Sequence, residues 1–183
     1  MLRQSPPRIK VDSFNMQINL ITGISGSGKS VALRAFEDAG YDCVDNLPVT
    51  LLENLITTLE GEKSERVAVA IDARRGQSIA ELPRILENLR RHHQVRIVFL
   101  NADTNTLVQR FSETRRRHPL SGKTQQTQAA TLIEAIDKER SLLEPLRTQA
   151  HSIDSSNLPA HALRSWIQDL LKDKPQGLSV IFE

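Results

Sequence analysis

The string Gly23-Ile24-Ser25-Gly26-Ser27-Gly28-Lys29-Ser30 has the spacing G-x-x-x-x-G-K-[ST], and its residue types suit the binding of a phosphate chain. The glycines let the backbone curl tightly, so that successive amide N–H groups point into one concavity and meet phosphate oxygens. A helix opening directly after the loop adds the positive end of its dipole. Lys29 supplies a mobile point charge for the β and γ phosphates, and the Ser30 hydroxyl is a hard oxygen ligand for Mg²⁺. The chemistry expected of this loop is the binding of a nucleoside triphosphate with its metal.

A second carboxylate ligand is expected at the end of a neighbouring buried strand. Asp72 closes the run VAVAID and fits that position beside Ser30, although an aspartate there also suits a helix cap. Asp45, at the end of YDCVDN, admits two readings: a site carboxylate, or a cap for the helix that Pro48 introduces. A third candidate is the basic cluster Arg110, Arg115, Arg116, Arg117, His118 and Lys123 around the segment SETRRRHPLSGK. Such a segment can close over a nucleotide and stabilise the transferring phosphoryl group, contact an RNA backbone, or simply be a solvated face. Lys29, Asp72, Arg115 and Arg116 are the candidate catalytic residues.

Positioning these groups requires strands that end at one edge and helices that return between them. Short apolar runs at 17–22, 41–45, 66–72, 95–101 and 151–154 predict five parallel strands. VAVAI and RIVFL lack alternation, as strands buried on both faces do. Helices are expected over 29–39, 49–59, 79–91, 104–113, 127–149 and 158–171. In the last, Leu163, Trp166, Ile167 and Leu170 share a helical stripe, which assigns Trp166 to the core. The fold class is α/β: a three-layer P-loop, kinase-like arrangement of about five parallel strands flanked by helices.

Composition bounds the rest. The 183 residues correspond to about one domain at roughly 100 to 200 residues each. A 39% hydrophobic content with mean hydropathy −0.35 excludes wholesale disorder. No apolar run is long enough to span a bilayer or to serve as a signal-peptide core, and the single cysteine, Cys43, cannot make an intramolecular disulfide. These features suit a cytoplasmic protein with no membrane partner. Cys43 falls inside a predicted strand, which argues for a packed thiol rather than a nucleophile. The net charge of +2 does not by itself announce a nucleic-acid binder. The lysine and aspartate of N-K-x-D are absent, which disfavours a Ras-like switch, and there is no HEXXH or paired CxxC. Residues 1–15 read as a flexible extension and 16–173 as the nucleotide-binding domain. Residues 174–183, ending in LSVIFE, read as a linker and the first strand of a further domain.

Four strings, GISGSGKSVALRAFEDAGYDCVDNLPVTLL, VAVAIDARRG, LNADTNTLVQRFSETRRRHPLS and AIDKERSLLEPLRTQA, together resemble the N-terminal domain of the RapZ/YvcJ family of RNase adapter proteins. The resemblance runs from about Met16 to Glu183. It implies a P-loop domain that binds ATP and GTP with Mg²⁺ and hydrolyses them slowly. It also implies a C-terminal domain that binds RNA and presents it to a ribonuclease. Carried over by position, the ATP segment is Gly23, Ile24, Ser25, Gly26, Ser27, Gly28, Lys29 and Ser30, and the GTP-associated segment is Asp72, Ala73, Arg74 and Arg75. The expected function is therefore a nucleotide-responsive regulatory domain. A small-molecule kinase, with its acceptor near Asp45 and the arginine segment, uses the same loop and is the alternative. A homo-oligomer is compatible with the sequence, although no apolar stripe singles out an interface.

Overall fold

The computed structural model describes residues 15–72, 79–114 and 128–172. Five strands, β1 (Gln17–Gly23), β2 (Asp42–Pro48), β3 (Arg66–Asp72), β4 (Gln94–Asn101) and β5 (His151–Asp154), form one sheet in the order β2-β3-β1-β4-β5. Every pairing is parallel. The helices are α1 (Lys29–Asp38), α2 (Leu52–Gly61), α3 (Leu82–Arg90), α4 (Thr104–Thr114), α5 (Gln128–Arg147) and α6 (Ala160–Lys172), with a short 3₁₀ turn at Val49–Leu51. This is the five-stranded, helix-flanked architecture expected from the apolar runs.

Successive strand residues point to opposite faces, and the sequence supplies a different core to each. Ile18, Leu20, Val67, Val69, Ile71, Ile97 and Phe99 face one layer, where Leu52, Ile56, Leu82, Ile85, Leu86, Leu107, Ile136 and Leu143 cover them. Ile21, Ala68, Ala70, Val98 and Leu100 face the other, against Ala32, Ala35, Phe36, Leu163 and Ile167 of α1 and α6. On that side small meets small: Ala68 and Ala70 oppose Ala32 and Ala35, so the loop-bearing helix can seat close to the sheet.

Three expectations shift. β2 runs on to Pro48, through an irregularity between Val44 and Leu47 with Asn46 at φ 58°. The residue capping the following 3₁₀ turn is Pro48, which leaves Asp45 outside the cap. Trp166 is not core; it is 51% exposed. Helix α6 packs against α1 and buries Leu163 and Ile167, with Leu170 and Leu171 half-covered beside them, and Trp166, one position round the helix, falls outside that stripe. Cys43 behaves as a packed thiol. Burial, aided by Glu37 and Asp42, pushes it up to about 11, so it stays protonated at neutral pH.

His93 gives the fold a pH dependence. Buried at the α3–β4 junction, its Nδ1 accepts the Met16 N–H at 3.4 Å and its Nε2 lies 3.3 Å from Glu60 Oε1. The neutral tautomer with a proton on Nε2 satisfies both contacts. Burial holds the imidazole below its ordinary 6.5, against the opposing pull of Glu60. The unfolded chain therefore takes up the proton more readily, so this contribution to stability is present above pH 6.5 and is lost as pH falls through the lower folded-state value. Thermal melts should show Tm falling below pH 6.5 with a shallower slope in His93→Gln; parallel slopes would remove His93 as the cause.

Candidate functional site

All five strands end at the same edge of the sheet. The chain order reverses direction around β1, because α1 carries the chain to β2 on one side while α3 carries it from β3 to β4 on the other. Parallel α/β sheets bind ligands in the crevice at such a switch point. Here the crevice is a cleft of about 850 Å³, with Gly23, Ser25, Gly26, Gly28, Lys29 and Ser30 among its walls.

The loop between β1 and α1 is built as the motif requires. Gly23 pairs with Leu100 at φ 136°, and the Ile24 N–H donates to Leu100 O at 3.0 Å. A side chain at Gly23 would put its Cβ 2.0 Å from that same carbonyl. Gly28 caps α1 in the left-handed region, at φ 103°. The Lys29 ammonium donates to Gly23 O at 2.7 Å and Ile24 O at 3.2 Å, so the cation lies at the strand side of the loop. Ile24 and Ser27 are buried, and Ser30 is exposed at the cleft. Asp72 ends β3 level with Pro48, and β3 lies directly beside β1.

Arg110 is not part of the loop segment with which the sequence grouped it. It sits within α4, and its guanidinium ties the site together. Nη1 donates to Gly26 O and Ser155 Oγ, both at 3.1 Å, and Nη2 to Ser155 O at 2.6 Å. The buried Ser155 hydroxyl donates in turn to Ser27 O at 2.7 Å. The phosphate loop is thus braced against the β5–α6 connection, where Leu158, Pro159 and Ala160 form a further cleft wall. Ala73, Arg74, Arg75, Arg115, Arg116, Arg117, His118 and Lys123 lie outside the described residues.

One site residue escaped the sequence reading. Glu139 of α5, 2% exposed, accepts the Ser25 N–H on Oε2 and the Ser25 hydroxyl on Oε1, both at 2.8 Å. The signal was present: Ile136, Glu139, Leu143 and Leu146 follow helical spacing, and the other three are core residues. Asp45 and Glu113 also line the cleft, so among its described residues three carboxylates face two basic side chains, Lys29 and Arg110.

Ser30 offers a hydroxyl at the cleft, a hard oxygen of the kind Mg²⁺ accepts alongside phosphate oxygens, and Asp72 closes the adjoining strand. Among the described residues no group of three or more His, Cys, Asp or Glu gathers into a metal cage, and no helix is long and apolar enough to cross a membrane.

Strand order, loop and cleft define a P-loop protein of the kinase-like class. Shikimate kinase from Bacteroides thetaiotaomicron has the same fold, with a TM-score of 0.53 at 18% identity over 86% of this chain and 97% of that one. The YorR protein of Bacillus subtilis, solved in complex with phosphorylated GDP, gives 0.55 at 13% identity over 85% and 95%. Within that class, residues 16–175 match the RapZ-like N-terminal domain, and the chain belongs to that family. A nucleotide-binding protein of Polynucleobacter asymbioticus is 89% identical over 168 residues, 92% of this chain and 57% of the relative. The chain therefore spans a little over half the length of the curated relatives it matches.

Proposed function

We propose that residues 16–173 bind ATP and GTP as Mg²⁺ complexes at the 23–30 loop, hydrolyse them slowly in the cytoplasm, and relay the nucleotide state to an RNA-binding region. Through that region the state would reach a ribonuclease. In this reading residues 1–15 are an extension and 174–183 lead into the RNA-binding part. The amides of the loop and Lys29 hold the phosphates, and Ser30 and Asp72 hold the metal, whose charge offsets that of the β and γ oxygens. Arg115 and Arg116 close over the γ-phosphate. Asp72, Ala73, Arg74 and Arg75 form the GTP-associated segment, where the arginines contact phosphate rather than read the base.

The observation that carries the nucleotide-binding, regulatory reading is the 23–30 loop at the cleft, tied to two different helices: Glu139 of α5 takes the Ser25 N–H and hydroxyl, and Arg110 of α4 donates to Gly26 O. One feature favours the alternative of a small-molecule kinase: Asp45, within β2, lines the cleft free of any capping duty, where it could accept a proton from an acceptor hydroxyl.

The fate of the γ-phosphate separates the two readings. With labelled ATP or GTP and Mg²⁺, the regulatory domain should bind nucleotide and release free phosphate slowly, with or without a pool of small metabolites. Rapid movement of label onto a metabolite would instead make the protein a kinase.

A further inference from the structure

The acid on the phosphate loop is more than a structural tie. Ser25 offers its N–H and its hydroxyl as a pair of donors, and the Glu139 carboxylate takes both at 2.8 Å. Two donors on one side and an anion with two oxygens on the other are the same chemistry by which such a loop binds phosphate. The position along the loop identifies the phosphate concerned. The α and β phosphates are cradled by the amides leading into α1, whereas the lysine reaches toward the γ end. The Lys29 ammonium is held on Gly23 O and Ile24 O, the two residues immediately before Ser25. The Glu139 carboxylate therefore lies at the γ end of the loop. Its helix also carries Arg140, but that guanidinium turns away, donating to Ala102 O and Thr104 Oγ1, each at 2.7 Å.

We propose that Glu139 is a specificity-determining residue that makes this site discriminate by phosphate number, favouring nucleoside diphosphates over triphosphates. The inference rests on the nucleotide-binding reading above and deepens it. A diphosphate leaves the Glu139–Ser25 pair intact. A triphosphate brings further negative charge against a 2% exposed carboxylate, where little solvent screens the repulsion. It must either displace the Glu139 carboxylate from Ser25 or bind against that repulsion. The same contact would give the site a structural way to register whether the γ-phosphate is present, since α5 is the element that carries the competing anion.

The test is calorimetry with Mg²⁺ on four ligands, ADP, GDP and the β,γ-imido analogues of ATP and GTP, each titrated into the wild-type chain and into Glu139→Gln. The glutamine keeps an oxygen for the Ser25 N–H and loses the charge. The wild type should bind the triphosphate analogue no more tightly than the diphosphate. Glu139→Gln should tighten the triphosphate by about tenfold, with the diphosphate moving less than about threefold, equally for both bases. A merely structural tie would change di- and triphosphate affinities together, and that result, or a weaker triphosphate in the variant, overturns the proposal. Should Glu139→Gln not fold, the wild-type ratio decides: a triphosphate preferred by about tenfold or more refutes the discrimination. A wild-type chain that binds neither form overturns the nucleotide reading itself, and this proposal with it.

Discussion

Lys29→Ala should weaken nucleotide binding by about 100-fold while leaving the fold in place, the magnitude of losing one or two charge-assisted contacts to phosphate. The asymmetry follows from what the side chain touches. Its ammonium bonds the carbonyls of Gly23 and Ile24 where the side chain lines the cleft, and it is not among the buried residues of the core. Removing it costs stability about 1 kcal/mol at most, since water can reach the half-buried site. Lys29→Arg should not restore affinity, because the planar guanidinium is longer and cannot act as the compact charge that fits between loop and phosphate. Calorimetric titration with ATP and GTP, paired with thermal melts, checks both halves. Unchanged affinity would remove the central contact of the assigned loop.

The parts of this site that are local in sequence were legible, and the parts assembled across the fold were not. The loop 23–30 carries its own geometry, because glycines at fixed offsets between an apolar run and a helix have few other uses. VAVAID and RIVFLN announce strands buried on both faces, and both are central or next to central in the sheet. Asp45 illustrates the limit. Whether it capped a helix or faced the cleft depended on the irregularity after Val44 and on Asn46 at φ 58°, neither of which residue types dictate. Arg110 was grouped by charge with its neighbours downstream, yet its role is fixed by Ser155, 45 positions away. Glu139 was hidden for the same reason: an acid in a charged helix ordinarily faces water, and only its register with Ile136 and Leu143 marks it as buried. Trp166 shows the converse error, since helical spacing identifies a stripe but not how much of it the neighbouring layer covers.

Gly23→Ala should be the most damaging single substitution in the loop, and Gly28→Ala a milder one, although both glycines have positive φ. At Gly23 the added Cβ would lie 2.0 Å from Leu100 O and 2.7 Å from Leu100 N. That obstacle is backbone of β4, locked in register with β1 from Gln17 to Gly23, so relief requires parting the two strands at the centre of the sheet. Overpacking and backbone strain together should cost at least about 3 kcal/mol, which is roughly 6 to 12 °C in Tm for a chain of this size. At Gly28 the new Cβ meets, among the described residues, Leu163 Cδ2 alone, at 2.7 Å, the tip of a side chain that can change rotamer. The cost there reduces largely to holding alanine at φ 103°, about 1 to 2 kcal/mol. Denaturant melts of the two variants decide the matter by rank. If Gly28→Ala were the less stable of the pair, the close approach of β1 to β4 would not be the constraint that requires glycine at position 23.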